Sequence, residues 1–300
     1  MQNFSTNWVV SSEESGSKLL AFLVTHTKGE YSARFLKECV NQHCCKINGR
    51  IETFSSTIVG KGDRVEFIIK KQNPRSLKSL DLKSILYEDE YLLIFNKPSA
   101  INCDEKGVLS LFKDYLPSAI LVHRLDRDTT GVLIIAKNKD VFLNLVDQFK
   151  EYAVQKTYLA IVDKIVKKER GVIENYLGKK QEYAGQTIWG SVDRSRGLYA
   201  CTDWERIEKG ENCSLIKCAP KTGRTHQLRV HLSEMGHPIL GDFQYGKKFI
   251  CSYHPHRYLL HAYSISFNHP VTLQRMEMTA PLPTDFFEAE DRLFKKRERL

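Results

Sequence analysis

The densest cluster of reactive side chains is Val122-His123-Arg124-Leu125-Asp126-Arg127-Asp128-Thr129-Thr130-Gly131, which leads directly into the apolar stretch 132–136. Carboxylates, guanidinium groups and hydroxyls in a turn beside a buried strand are what a site on a rigid support needs. An aspartate in such a turn also serves simply to cap a strand end. His123, Asp126 and Asp128 could be metal ligands, but a hard divalent cation wants more carboxylates than this stretch supplies. Cys251 with His254 and His256 lacks a nearby fourth ligand for zinc. The eight cysteines contain no CxxC pair and read as reduced, mostly buried thiols. No metal is expected.

Two further segments combine with the first. One is Lys156-Thr157-Tyr158 followed by Leu159-Ala160-Ile161-Val162. The other is Gly223-Arg224-Thr225-His226-Gln227-Leu228-Arg229-Val230-His231-Leu232, continuing through Gly236-His237-Pro238-Ile239-Leu240-Gly241-Asp242 to Tyr245-Gly246. With the opening Tyr91-Leu92-Leu93-Ile94-Phe95-Asn96-Lys97-Pro98, these four motifs resemble, in order, those of the RluA-type pseudouridine synthases. The resemblance covers residues 85–246. It implies an isomerase that detaches uracil from its ribose, rotates it and rejoins it through carbon 5, with no cofactor.

Asp126 is, by that resemblance, the essential carboxylate, and Arg229 the cation that keeps it ionised against desolvation. Tyr158 would stack on the flipped uracil, its phenol assisting proton transfer at carbon 5; a core tyrosine is the plainer reading of its strand position. The target uridine must leave its stack, and Arg124 is the side chain implied to fill the gap. Arg224 and His226 join it as RNA-contact candidates, Arg224 toward a substrate phosphate. His123 stands with them, although its place suggests support of the turn. The chain departs from the pattern at Thr130, where serine is usual, in the loop Ser99–Cys103, which lacks the usual glycine and histidine, and at Asp163, where glycine is common. The loop changes bear on target choice.

The elements that must hold these residues are legible from periodicity. Strands are expected at 91–95, 132–136, 157–162, 214–219 and 259–267, and a helix at 141–149 with Asp140 as its N-cap. A helix over 227–235 would bury Leu228, Leu232 and Met235 and place His226 and Arg229 together on another face. Strands arrive in runs, so the expected class is α+β: a catalytic domain with a mixed, mainly antiparallel central sheet and flanking helices, over residues 85–288. Residues 16–70 predict a small separate α/β domain. Leu19, Phe22 and Leu23, then Leu36, Cys39 and Val40, mark two helices, Asn48-Gly49 a type I′ hairpin, and Val65 to Ile69 a strand. This order resembles the S-four RNA-binding module, which implies RNA-facing positions for Arg34 and Lys37; a merely solvated helix face is the alternative. Residues 1–15 read as an extension, 71–84 as a linker and 289–300 as a charged tail.

The 300 residues carry 45 Lys+Arg against 36 Asp+Glu, a net charge of +9. A polyanionic partner suits that balance, though a solvated basic surface would give the same number. No apolar run nears the roughly 18 residues of a membrane span, and the first residues show no secretory pattern. A cytoplasmic, monomeric enzyme is expected. RNA is its expected partner, ribosomal RNA of the large subunit first because relatives with an S-four domain tend to modify it, and tRNA second. A catalytically silent ribosome-assembly factor and a metal-dependent nuclease are the rival classes.

Overall fold

A computed structural model of the chain describes residues 4–28, 30–41, 44–69, 80–183, 186–246 and 248–294. The chain divides into two compact units, residues 1–76 with 181–188 and residues 77–180 with 189–300.

In the first unit the strands β1 (Phe4–Val9), β2 (Cys45–Ile47), β3 (Arg50–Glu52) and β4 (Arg64–Ile69) form an antiparallel sheet in the order β1-β4-β2-β3. The helices α1 (Leu19–His26) and α2 (Ala33–Asn41) bury Leu19, Phe22, Leu23, Leu36, Cys39 and Val40 in one core with Val65 and Phe67. Asn48 and Gly49 have φ of 53° and 76°, the left-handed pair that a type I′ hairpin requires. Asp63 holds the next turn, its carboxylate accepting from Gly60 N at 2.7 Å and from the Asn48 amide at 2.7 Å. Residues 4–9 are not an extension: they add β1 along the whole of β4, and Val10 enters the core. Three alternating side chains are too few to announce an edge strand in sequence.

The second unit is built on an 11-stranded sheet, apart from residues 181–183 and 186–188 at the ends of two of its strands, and the main path runs β11-β10-β12-β13-β9-β14-β8-β6-β5. Its strands are β5 (Ile85–Glu88), β6 (Leu92–Lys97), β7 (Ile120–Leu121), β8 (Thr130–Ala136), β9 (Gln155–Asp163), β10 (Arg170–Tyr183), β11 (Gln186–Ser191), β12 (Leu198–Lys209), β13 (Cys213–Pro220), β14 (Leu260–Asn268) and β15 (Arg275–Thr279). The registered pairings are antiparallel except β8 with β14. Helices α3 (Val108–Phe112), α4 (Lys139–Lys150), α5 (Gln227–Glu234) and α6 (Thr284–Leu293) flank it. The architecture is α+β, as expected. All five strands foreseen from apolar runs are present. The ones missed, such as β10 and β12, mix polar and apolar residues because one face meets solvent.

Three boundaries differ from expectation. The N-cap of α4 is Asn138, whose side chain accepts from Val141 N at 3.0 Å, and Asp140 lies in the first turn. Residues 82–84 are a 3-10 turn capped by Asp81 rather than linker, while 71–79 lie outside the described residues. The expected tail from 289 is still helix: Ala289 and Phe294 are buried against the core of β9, β13 and α5. Residues 295–300 lie outside the described residues. Asp163, the departure at the end of β9, is fully buried and accepts from Ile250 N and Cys251 N, so it anchors the loop before β14. Among the described residues no three metal-ligating side chains converge, at Cys251 or elsewhere.

Candidate active site

Asp126 sits in the turn between β7 and β8. Gly131 at the start of β8 has φ +112°, and a Cβ there would lie 2.1 Å from the Ala262 carbonyl; only glycine lets β14 come this close to the strand that follows the aspartate. Two buried cations hold the turn by its carbonyls. Lys97 at the end of β6 donates to Pro98 O, Ile101 O and Arg127 O at 2.9–3.0 Å. Burial pushes its pKa down to about 8. Arg257 donates to Asp128 O at 3.0 Å and is itself gripped by Asp285 of α6 at 2.6 and 2.9 Å.

The pocket beside Asp126 is lined by Arg124, Lys156, Tyr158, Arg224, His226 and Arg229, with the 220–225 loop as one wall. Three separate motifs therefore converge on it. Gln227 fixes that loop with all of its amide groups. Its Oε1 accepts from Thr222 Oγ1 and Arg224 N, and its Nε2 donates to Cys201 O and Thr202 Oγ1, all within 3.0 Å.

Arg229, on α5, is buried and its principal partner is Asp242. Nε and Nη2 donate to the two Asp242 oxygens at 2.6 and 3.0 Å, and Nη2 also reaches Gln244 Oε1 at 2.7 Å. Nη1 is the nitrogen that faces Asp126, 3.5 Å from Oδ2. The guanidinium lies between two rings, with its carbon 4.4 Å from the Tyr258 centroid and 4.9 Å from that of Tyr245. Burial opposes the arginine charge, but Asp242, Tyr258 and Asp126 outweigh it and raise its pKa. The expected pairing with Asp126 is present, yet it is the weakest of these contacts. Leu228 and Leu232 are buried as the periodicity predicts, and Met235 only partly; beyond that expectation, α5 is buried throughout Gln227 to Leu232, Arg229 and His231 included.

Tyr158 presents its ring to the pocket from β9, and its hydroxyl makes no hydrogen bond to the described residues. Burial, and then the Asp126 charge, push its pKa up. His226 caps α5 in the left-handed region at φ 56°, hydrogen bonded through Nδ1 to Tyr245 Oη at 2.7 Å, with Nε2 3.9 Å from Asp126. Burial lowers its pKa to about 4, so it is neutral at pH 7. Arg124 is exposed at the mouth. His123 is not in the lining. Its Nε2 accepts from Ile134 N at 3.0 Å and its ring packs on Phe149, with burial holding its pKa near 3. The structure makes it a support of β8, as its place in the sequence suggested.

This chain matches the family model described as RNA pseudouridylate synthase over residues 91–234. It is 33% identical over 306 residues to the ribosomal large subunit pseudouridine synthase C of Haemophilus ducreyi, covering 94% of each chain. The chain belongs to the RNA pseudouridylate synthase family. Its relative of the same name from Buchnera aphidicola of Schizaphis graminum is 39% identical over 223 residues, 68% of this chain and 69% of that one. A solved structure, human RNA pseudouridylate synthase domain containing 1, is similar at a TM-score of 0.59 and 29% identity, covering 71% of this chain and 87% of that one. As a pseudouridylate synthase, the chain is an enzyme that isomerises uridine in RNA.

The residues that sequence reasoning missed are the ones that hold Arg229: Asp242, Tyr245, Tyr258 and Gln244. Asp242 and Tyr245 stood inside a recognised motif; nothing in the sequence assigned them to the arginine.

Proposed function

We propose that this synthase converts uridine to pseudouridine in large-subunit ribosomal RNA, without cofactor or metal, through Asp126, Tyr158 and Arg229. The RNA target rests on the names of relatives that cover nearly the whole chain. The assignment of residues rests on one observation: a pocket that gathers Asp126, Tyr158 and Arg229 from three elements, with Arg229 committed to a buried carboxylate of its own.

The reaction breaks the C1′–N1 bond and makes C1′–C5, so N1 gains a proton and C5 loses one to solvent. A carboxylate beside the ribose has to remain charged while substrate excludes water. Arg229 Nη1 lies 3.5 Å from Oδ2 of Asp126, whereas Oδ1 makes no hydrogen bond to the described residues, which leaves it for the ribose. The raised pKa of Tyr158 keeps its phenol protonated, which suits a ring that stacks on uracil better than one that acts as base. Arg124 at the mouth enters the duplex or loop in place of the flipped uridine.

The first unit serves as an RNA-binding appendage. Lys37 is exposed on α2, opposite the buried Leu36, Cys39 and Val40, and the Arg34 side chain lies outside the described residues. Ribosomal RNA stands ahead of tRNA on the relatives' names, and a monomer suffices because one chain supplies the whole pocket. The test is to delete the gene, map lost pseudouridines across cellular RNA, and restore them with the wild-type chain but not with Asp126→Asn. Loss confined to tRNA would overturn the ribosomal assignment.

A further inference from the structure

Two cations in the pocket are left over once the trio and Arg124 at the mouth are accounted for. Lys156 projects from the start of β9, and its Nζ hydrogen bonds only to the Thr222 carbonyl, at 3.3 Å. Arg224 uses Nε on the Tyr199 carbonyl at 2.8 Å. Among the described residues neither has a carboxylate partner, and neither pairs with Asp126. The contrast with Arg229, whose charge Asp242 meets directly, is sharp.

Both residues line the same pocket. Burial first, and then the Arg224 charge, push the Lys156 amine down to about 8. Arg224 cannot retreat, because Gln227 Oε1 accepts from its backbone N–H and Tyr199 O accepts from its side chain. The floor beside them is Gly223, where a Cβ would stand 3.8 Å from Lys156 Nζ. Two unneutralised cations over a glycine backbone, in a pocket that also holds the essential carboxylate, form an arrangement short of one anion.

We infer that Lys156 and Arg224 form a subsite for a backbone phosphate of the RNA strand, next to the uridine being isomerised. This rests on the RNA reading above and adds Lys156 to it. The anion lowers the mutual repulsion of the pair, so the phosphate is positioned by the same two groups that its absence leaves unpaired. Fixing that phosphate sets where the flipped ribose lies relative to Asp126.

The other groups facing Lys156 are consistent with this. His123, from the turn before β8, is held neutral by burial. Phe149 of α4 presents its ring 5.9 Å from Nζ. Arg124, Asp126, Tyr158, His226 and Arg229 are the other charged or titratable groups of the lining, and His226 is also neutral at pH 7.

The experiment uses the full-length enzyme and in vitro transcribed large-subunit ribosomal RNA labelled with tritium at uridine carbon 5, which is released on isomerisation. Wild-type enzyme that releases no tritium would refute the ribosomal target and leave the subsite unaddressed by that substrate, so total cellular RNA from the deletion strain is then the probe. With a working substrate, Lys156→Gln should raise KM about ten-fold, with a smaller fall in kcat. It should also reduce the slope of log affinity against log salt by roughly 0.7. Lys156→Arg should restore both. In wild type KM should climb above about pH 8 as the amine loses its proton, and in Lys156→Arg it should stay level, since arginine keeps its charge. The inference is overturned if Lys156→Gln lowers kcat with KM and salt slope unchanged. It is equally overturned if Lys156→Arg, folded by circular dichroism, is as impaired as Lys156→Gln.

Discussion

Arg229 and Asp242 form a two-point ion pair, 2.6 and 3.0 Å, in which the carboxylate is 1% exposed. The pair decides how Arg229 can treat Asp126. With Nε and Nη2 occupied, one nitrogen remains, and it approaches Asp126 at 3.5 Å. Asp126 gains a nearby positive charge without being locked into a two-point pair of its own, so one oxygen stays available for the ribose.

Asp242→Asn should therefore be costly twice over. Leaving the arginine without its main counter-charge should destabilise the fold by about 3 kcal/mol, read from denaturant unfolding, since breaking a buried pair strands a charge. Arg229 would then turn toward Asp126, and kcat should fall by at least ten-fold while RNA affinity changes little. Activity equal to wild type in Asp242→Asn would sink this account of the pair.

Asp126→Asn should abolish tritium release from carbon 5 and leave RNA affinity within a few-fold. Phosphate contacts dominate RNA binding, and a carboxylate makes none of them. Filter binding beside the release assay separates the two effects.

At Tyr258 the ring, not the hydroxyl, faces the guanidinium, and the hydroxyl is only 3.3 Å from Thr129 Oγ1. Tyr258→Phe should keep most activity. Tyr258→Leu, which removes the π-face, should lose about 1–2 kcal/mol of stability together with activity. Equal damage from both variants would assign the role to the hydroxyl instead.

Acid should weaken the fold through its buried histidines. Burial lowers His123 to about 3 and His226, His231 and His261 to about 4. Unfolded histidine titrates near 6.5, so below that pH the unfolded chain binds more protons and stability drops as pH falls toward 4. Each histidine adds at most about 1.4 kcal/mol per pH unit to that slope. Urea midpoints at pH 7, 6 and 5 should decline steadily, and His123→Gln should make the decline shallower.

Reversing Arg34 and Lys37 to Glu together should weaken RNA binding and flatten its salt dependence, each lost contact removing roughly 0.7–0.9 from the slope. Turnover at saturating RNA should survive, because the catalytic pocket is lined by residues of the other unit. An unchanged slope would make the first unit a docking site for protein or a structural remnant.

The sequence by itself determined a good deal. Strand 132–136 announced itself because both faces are buried and every residue is apolar, and 157–162 because it carries the apolar run Leu159 to Val162, buried from Ala160 on. Helices α1 and α2 did so because one stripe repeats at helical spacing. Asp126, Tyr158 and Arg229 were singled out by local strings that resemble family motifs, because a local string is legible without the fold; the fold brings the three into one pocket. What only the tertiary structure decided are the pairings between distant segments. Asp242 sits thirteen residues beyond Arg229 and Tyr258 sixteen beyond Asp242, and neither separation matches a helix or strand repeat. A buried guanidinium needs partners on every side, and chain folding, not spacing, delivers them. Residues 4–9 escaped for a related reason: an edge strand is defined by the neighbour it bonds, and β4 lies some sixty residues away. Lys156 and Arg224 show the same limit in reverse. Resemblance alone assigned Arg224 a phosphate and Lys156 had no role, and the fold sets both in one pocket with neither paired to a carboxylate among the described residues.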